Sequence, residues 1–174
     1  MSRLIAHEAR VLLRHPWGWI ASGFGCGLAP FAPGTVGSAV AAMGFWILGA
    51  SVWPLWVNLL LVAAGFALGV LASDWVCRAL ATEDASVIVV DEWVGQWLTL
   101  CVGAIYWPLQ RGSLWDIGFF ASAFVFFRIA DILKPWPANL ADRNLAGGFG
   151  AMLDDLIAAV YSAAAVALLG YVLT

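Results

Sequence analysis

Charged residues are scarce in this chain. They make up 11% of its 174 residues, whereas 63% are hydrophobic and the mean hydropathy is +0.91. A soluble domain has about half of its residues apolar and about a quarter charged. Apolar runs of about 20 residues recur, each long enough to cross a hydrocarbon core of about 30 Å. The composition excludes an ordinary soluble domain and predicts an integral membrane protein of one domain, residues 1–174.

Cysteine and histidine are also scarce. The three cysteines (Cys26, Cys77 and Cys101) lie in or beside apolar segments and lack the spacing of metal ligands. This pattern excludes a disulfide framework and indicates packing roles. Both histidines, His7 and His15, lie near the N-terminus. We expect no nucleic-acid partner, and the sequence does not predict an oligomeric state.

The apolar segments predict an all-α membrane fold with about five spanning helices. We place them at about 36–53, 55–73, 87–109, 114–133 and 149–173. The polar connection at 74–86 is predicted to be partly helical. Gly65 and Gly69 have the GxxxG spacing, and Gly37, Ala41 and Gly44 form a second stripe of small residues. Such stripes let helices approach closely.

Two further segments precede the first span. Residues 1–16 are predicted to form an amphipathic helix on an anionic membrane surface, because four cationic or titratable side chains share one face: Arg3, His7, Arg10 and Arg14. A solvated charged face is the alternative. Residues 18–38 contain Pro30, Pro33 and five glycines between 23 and 37, which favours a re-entrant or interfacial loop.

The loop at 18–38 ends in PGTVGS, which leads into the first span. Free backbone N–H groups at a helix start, with the hydroxyls of Thr35 and Ser38 nearby, suit a phosphate group. Helix capping by either hydroxyl is the alternative.

Cationic residues indicate the orientation of the helices. With a cytoplasmic N-terminus and five spans, the inside holds seven bases: Arg3, Arg10, Arg14, Arg78, Arg128, Lys134 and Arg143. The outside holds only Arg111, a strong positive-inside bias. In the same topology ten of the eleven acids lie on the cytoplasmic side, and only Asp116 lies outside.

Carboxylates from three helices are thereby predicted to meet at the cytoplasmic end. They stay ionised together only if a cation joins them. Oxygen ligands favour Mg²⁺ or Mn²⁺. Glu92, Asp131 and Asp155 are the preferred ligands, because the stripes Glu92, Gln96, Thr99, Gly103 and Asp155, Ala159, Ser162 should face the bundle. Asp91, Asp142 and Asp154 are further ligands, bases or supporting groups.

The basic residues beside these acids suit phosphate oxygens: Arg128, Lys134 and Arg143. Together with a hard divalent ion they predict phosphoryl chemistry at a membrane surface. Interhelical ion pairs are the alternative, chiefly for Arg128 with Asp131. The sequence has no Cys–Arg phosphatase loop, no Asp-x-Asp motif and no phosphohistidine phosphatase motif. Hydrolysis by water activated at a metal ion is what remains.

Four motifs, GFGCGLAPFAPGTVGS, VVDEWVGQW, FRIADILKPWP and DRNLAGGFGAMLDD, together resemble the phosphatidylglycerophosphatase A family over about residues 17–165. The resemblance implies a Mg²⁺-dependent lipid phosphatase of the bacterial inner membrane. Such an enzyme hydrolyses phosphatidylglycerophosphate to phosphatidylglycerol and phosphate in phospholipid biosynthesis. The matching motif positions are Thr35, Ser38, Asp91, Glu92, Asp131, Lys134, Asp142, Arg143, Asp154 and Asp155.

Two other classes fit parts of the pattern. A CDP-alcohol phosphotransferase is also an Asp-rich, Mg²⁺-dependent membrane enzyme, but Ala158 stands where its motif requires the last Asp. An ion-coupled transporter usually holds its ions near the bilayer midplane. The acids of this chain are instead predicted to lie at one end of the helices.

Overall fold

The computed structural model describes residues 9–82, 85–107, 109, 114–145 and 147–173. This part of the chain is helical and contains no strand, which confirms the predicted all-α class. Its principal helices are α1 (Pro16–Ala21), α2 (Pro33–Leu48), α3 (Leu55–Leu80), α4 (Val90–Gly103), α5 (Leu114–Leu133), α6 (Ala138–Asn144) and α7 (Gly147–Leu173). Single turns of 3₁₀-helix occur at Cys26–Leu28, Ala50–Val52 and Ala104–Tyr106.

Helix α4 is the centre of the bundle. It packs against α2, α3, α5 and α7, and α7 packs in turn against α3, α5 and α6. The long helices alternate in direction, so the starts of α2, α4 and α7 lie at the same end as the last turns of α3 and α5. We call this the cavity end. It gathers the ionisable side chains, as the sequence predicts.

Small and polar residues of α4 face its neighbours. Gln96 and Thr99 are fully buried, and a Cβ atom on Gly103 would lie 2.6 Å from Val166 of α7. The GxxxG glycines of α3 also face the bundle. A Cβ atom on Gly69 would lie 2.5 Å from the Met152 sulfur. The predicted stripe of α4 and the GxxxG pair of α3 are therefore confirmed, because close helix approach requires small residues at these points. The predicted stripe of α2 is wrong at Gly44, where an added Cβ atom would meet no other group within 4 Å.

The outward faces of the long helices are apolar. Large hydrophobic side chains are exposed along them, including Trp46, Leu60, Ile117, Leu168 and Val172. A contiguous apolar surface of this kind indicates contact with a membrane rather than with water. Helices α3 and α7 are long and apolar enough to cross a bilayer. The predicted count of five spans is not confirmed.

Several predicted boundaries were wrong. Helix α2 begins three residues before the predicted span, because Pro33 is tolerated at the first helical position, where its missing N–H costs nothing. Helix α4 ends at Gly103, where the 3₁₀ turn follows. The connection at 74–86 is partly helical, as predicted, since α3 extends to Leu80, and the segment between α5 and α7 contains the short helix α6.

The segment predicted as a re-entrant or interfacial loop is partly helical, since it contains α1 and a 3₁₀ turn before α2. The His15 side chain accepts a hydrogen bond from Trp17 N at the start of α1, and its ring stacks on Trp75 with 4.2 Å between centroids. Arg3 and His7 lie outside the described residues. The predicted N-terminal amphipathic helix therefore stays a prediction.

Candidate active site

A cavity of about 580 Å³ opens at the cavity end of the bundle. Nine of the eleven predicted site residues line it: Asp91, Glu92, Arg128, Asp131, Lys134, Asp142, Arg143, Asp154 and Asp155. They come from α4, α5, α6, α7 and the α5–α6 connection. The cavity therefore has six acids and three bases among its lining residues, an excess of negative charge that the sequence predicts.

Three carboxylates form the tightest group. Asp91 and Glu92 lie in the first turn of α4, Asp155 lies in α7, and one oxygen of each lies within 4.8 Å of the others. Within the described chain, neither Glu92 Oε2 nor Asp155 Oδ2 has a hydrogen-bond partner, although both atoms are buried. Unpaired buried carboxylate oxygens are costly and repel one another. This arrangement is stable when a cation joins the three groups.

Helix α2 closes one side of this group. Gly34 is buried, and a Cβ atom there would lie only 1.9 Å from Glu92 Oε1. Any side chain at this position would therefore occupy the space of the Glu92 carboxylate. The start of α2 contributes no acid, but it sets where the Glu92 side chain can lie.

Arg128 connects three helices. Its Nη1 atom lies 2.6 Å from Asp131 Oδ2 and 3.7 Å from Glu92 Oε1, and it donates to Ser38 Oγ at 3.4 Å. The sequence analysis gave an ion pair between Arg128 and Asp131 as the alternative to phosphate binding by Arg128, and the structure contains this ion pair. Arg128 therefore holds the carboxylates of α4 and α5 in place, and its guanidinium faces the cavity.

The hydroxyls proposed for phosphate lie elsewhere. Thr35 and Ser38 are absent from the cavity lining, and the Ser38 hydroxyl donates to Gly34 O at 2.9 Å. Neither residue caps α2, because the helix has already begun at Pro33 with Ala32 as its N-cap. The capping alternative was therefore wrong. Ser38 contacts the site only through Arg128.

Lys134 bridges two acids. Its Nζ atom lies 2.8 Å from Asp142 Oδ1 and also bonds Asp154 Oδ2. Partial burial alone would lower the pKa of Lys134, but the hydrogen bonds with both carboxylates outweigh it and raise the pKa above its ordinary value. Lys134 is therefore a permanent cation that ties the α5–α6 connection to α6 and α7.

Arg143 differs from the other two bases. It is exposed at the cavity mouth and forms no ion pair with the residues that the structure describes. Its five donors are therefore available to a bound anion. The N-termini of α2, α4 and α7 also meet this cavity, and their partial positive charges favour an anion there.

The donor set fits a hard divalent cation. The three-carboxylate group supplies only oxygen ligands, which Mg²⁺ prefers, and it leaves coordination positions for water or phosphate. Asp131 and Asp154 are held by Arg128 and Lys134 respectively. Of the six acids that the sequence offers as ligands, bases or supporting groups, Asp91, Glu92 and Asp155 thus form the closest group.

Two residues near the site were missed by sequence reasoning. Gly34 belongs to the PGTVGS motif, but a glycine inside a glycine-rich stretch does not show which atom it approaches. Asp74 lies in α3 and its Oδ1 accepts a hydrogen bond from Gly148 N at 2.6 Å. No local pattern links two residues that are 74 positions apart.

Comparison with known proteins identifies the family. The model of the family Phosphatidylglycerophosphatase A matches residues 19–170. The chain belongs to this family. Every site residue discussed above lies inside the matched range.

Three relatives are similar to this chain over most of their length. The Escherichia coli protein Phosphatidylglycerophosphatase A is 38% identical over 94% of this chain and 89% of the relative. The Haemophilus influenzae protein of the same name is 35% identical over 88% of both chains. A Bacteroides thetaiotaomicron protein, provisionally named as a phosphatidylinositol-3-phosphatase, is 38% identical over 82% of this chain and 86% of the relative. No solved structure matches the chain.

Proposed function

We propose that this chain is a phosphatidylglycerophosphatase that uses Mg²⁺ to hydrolyse the terminal phosphate of phosphatidylglycerophosphate. Family membership supports the phosphatase activity. The metal is supported by the three-carboxylate group, and phosphate binding by Arg143, which lines the same cavity and has no ion pair among the described residues. The reaction joins a water oxygen to phosphorus and breaks the bond between phosphorus and the glycerol oxygen. The products are phosphatidylglycerol and inorganic phosphate.

In this proposal, acidic residues bind the metal ion and a basic residue binds the phosphate. Asp91, Glu92 and Asp155 would hold the metal ion, which when bound polarises phosphate oxygens and lowers the pKa of water. Arg143 would hold phosphate oxygens in bidentate geometry. Arg128 and Lys134 hold the neighbouring carboxylates of Asp131 and Asp154 in place. The proton of the attacking water goes to a cavity carboxylate, which returns it to the leaving glycerol oxygen.

In this proposal, the cavity lies at the depth of the lipid headgroups. The cavity lies at one end of the bundle, whereas the apolar surface follows the length of the helices. We place the cavity end on the cytoplasmic side of the bacterial inner membrane. All six cationic residues within the described ranges support this placement, since they lie in segments at that end: Arg10, Arg14, Arg78, Arg128, Lys134 and Arg143.

The identity of the lipid headgroup can be tested directly. Purified protein is assayed for phosphate release from phosphatidylglycerophosphate and from phosphatidylinositol 3-phosphate in matched mixed micelles. We expect phosphatidylglycerophosphate to be the better substrate by kcat/KM. A preference for phosphatidylinositol 3-phosphate would favour the activity for which the Bacteroides relative is named.

The first prediction concerns the metal. Glu92→Gln keeps the size of the side chain but removes a charge from the three-carboxylate group. We expect the variant to fold and insert while losing at least about tenfold in Mg²⁺ affinity, because ligand charge sets affinity for hard cations. The measurement is phosphate release against free Mg²⁺ concentration, after chelation of the purified enzyme.

The matched control is Asp116→Asn, which neutralises a buried acid at the opposite end of α5, outside this cavity. Its Mg²⁺ dependence should equal that of the wild type. A wild-type Mg²⁺ curve for Glu92→Gln would remove Glu92 from the ligand set. Activity that survives chelation in the wild type would refute the metal requirement itself.

The alternative classes give different products. A CDP-alcohol phosphotransferase would release cytidine monophosphate from a CDP-lipid and an alcohol, and an ion-coupled transporter would release no phosphate in detergent. The acids also lie at one end of the helices, as a headgroup enzyme requires, rather than at the midplane.

A further inference from the structure

The first turn of α7 is attached to α3. Gly148 N donates to Asp74 Oδ1 at 2.6 Å, which is short for such a bond. A Cβ atom on Gly148 would lie 2.3 Å from Val70 O and 3.0 Å from Ser73 Cβ. The two helix backbones are therefore in direct contact here, and only glycine fits between them.

Asp74 acts on α7 as a capping residue does. The first N–H groups of a helix have no partner within the helix, and a carboxylate that accepts one of them also interacts favourably with the helix dipole. A capping side chain usually comes from the residue just before its helix. Here it comes from another helix, and Asp74 is not part of the cavity lining.

The contact between α3 and the start of α7 affects the three-carboxylate group, because α7 also contains Asp155. Asp154 and Asp155 lie about two turns beyond Gly148, roughly 10 Å along the axis at 1.5 Å per residue. Asp155 reaches the carboxylates of α4 only if α7 has the correct height and rotation. The backbone contact fixes the distance between α3 and α7, whereas the hydrogen bond of Asp74 also fixes the position of α7 along its own axis.

We infer that Asp74 is a positioning residue that holds α7 where Asp155 completes the three-carboxylate group with Asp91 and Glu92. The inference rests on the proposed function only in taking a divalent cation as the ligand of that group. Its consequence is that loss of the Asp74 hydrogen bond weakens metal binding, although Asp74 touches neither metal nor substrate.

The experiment measures Mn²⁺ binding to the purified full-length protein by electron paramagnetic resonance, without substrate. Asp74→Ala removes the acceptor, and we expect a Mn²⁺ dissociation constant roughly tenfold higher, as is usual when a group that orients a ligand is lost. Asp74→Asn keeps an acceptor oxygen and should bind Mn²⁺ like the wild type. Ser73→Ala is the matched control, because its buried hydroxyl has no partner among the described residues.

Thermal unfolding of each metal-free variant separates positioning from general destabilisation. Asp74→Glu moves the acceptor by one methylene while keeping the charge. It should also weaken Mn²⁺ binding, and it tests the inference if the alanine variant does not fold. Wild-type Mn²⁺ affinity in a folded Asp74→Ala or Asp74→Glu would overturn the positioning role, as would an Asp74→Asn variant as weak as Asp74→Ala. Failure of the wild type to bind Mn²⁺ would instead overturn the proposed metal site.

Discussion

Arg128 and Arg143 both line the cavity and have the same charge, but their surroundings differ. Arg128 is already engaged by Asp131, Glu92 and Ser38. Arg143 is exposed at the mouth and has no ion pair within the described chain. A guanidinium without other partners can donate to two oxygens of one phosphate at once, because its donors form a planar fork. The ammonium group of lysine is a point charge and lacks this geometry.

The second prediction therefore concerns Arg143→Lys, which keeps the charge and removes the fork of donors. We expect kcat/KM for phosphatidylglycerophosphate to fall about 10- to 100-fold, as for loss of a charge-assisted hydrogen bond worth about 1.5–3 kcal/mol. Steady-state phosphate release in mixed micelles at saturating Mg²⁺ measures this.

Arg78→Lys is the matched control, since Arg78 is an exposed arginine in the last turn of α3 and does not line the cavity. It should keep wild-type kinetics. Unchanged kinetics for Arg143→Lys would mean that Arg143 only balances nearby acids. The phosphate would then have to be bound by Arg128 or by helix N-termini.

At the scale of elements, the start of α2 contributes no charged group to the site, but its glycine leaves the space that the Glu92 carboxylate occupies. Pro33 fixes the first helical position, and Gly34 lies against the Glu92 carboxylate. The same helix contains Gly44, where an added Cβ atom would meet no other group within 4 Å. The two glycines therefore permit a controlled comparison within one helix.

The third prediction is that Gly34→Ala folds but loses most of its activity. The new methyl group would lie 1.9 Å from Glu92 Oε1, and the flexible Glu92 side chain can move away. The displaced carboxylate would no longer join Asp91 and Asp155. We therefore expect the apparent affinity for Mg²⁺ to fall by at least about tenfold. Activity against free Mg²⁺ and thermal unfolding are measured together.

Gly44→Ala should keep wild-type activity and be stabilised by up to about 1 kcal/mol, because alanine loses less backbone entropy than glycine in a helix. Equal Mg²⁺ dependence in the two alanine variants would show that α2 does not restrict the position of Glu92.

For the whole molecule, the distribution of charge supports the proposed orientation in the membrane. The described cationic residues lie at the cavity end, whereas Asp116 lies near the opposite end of α5. Arg111, the only base predicted outside, lies beyond the described residues. The positive-inside rule therefore supports the proposed placement of the cavity end in the cytoplasm.

The fourth prediction tests this orientation by cysteine labelling in cells, in a background with Cys26, Cys77 and Cys101 replaced by alanine. Asn144→Cys, exposed at the cavity end, should react with a membrane-impermeant maleimide only after permeabilisation. Val52→Cys, 76% exposed in the turn after α2, should react in intact spheroplasts. The reverse pattern would place the active site on the outer face.

Much of this protein follows from its sequence alone. The apolar runs determined helices, because a backbone in lipid must satisfy its own hydrogen bonds. The positions of Asp91, Glu92, Asp131 and Asp155 near helix ends indicated a carboxylate group at one end, and the helix period indicated that Gln96 and Thr99 face inward. These inferences need only the length of a helix and its 3.6-residue turn.

Partnerships between side chains were decided by tertiary structure. The sequence could not show that Arg128 and Lys134 hold Asp131 and Asp154, while Asp91 joins Glu92 and Asp155. Nor could it show that Gly34 approaches Glu92 or that Asp74 binds the start of α7. Each of these contacts depends on the rotation and height of one helix against another, which are set by packing across the whole bundle and by no local pattern.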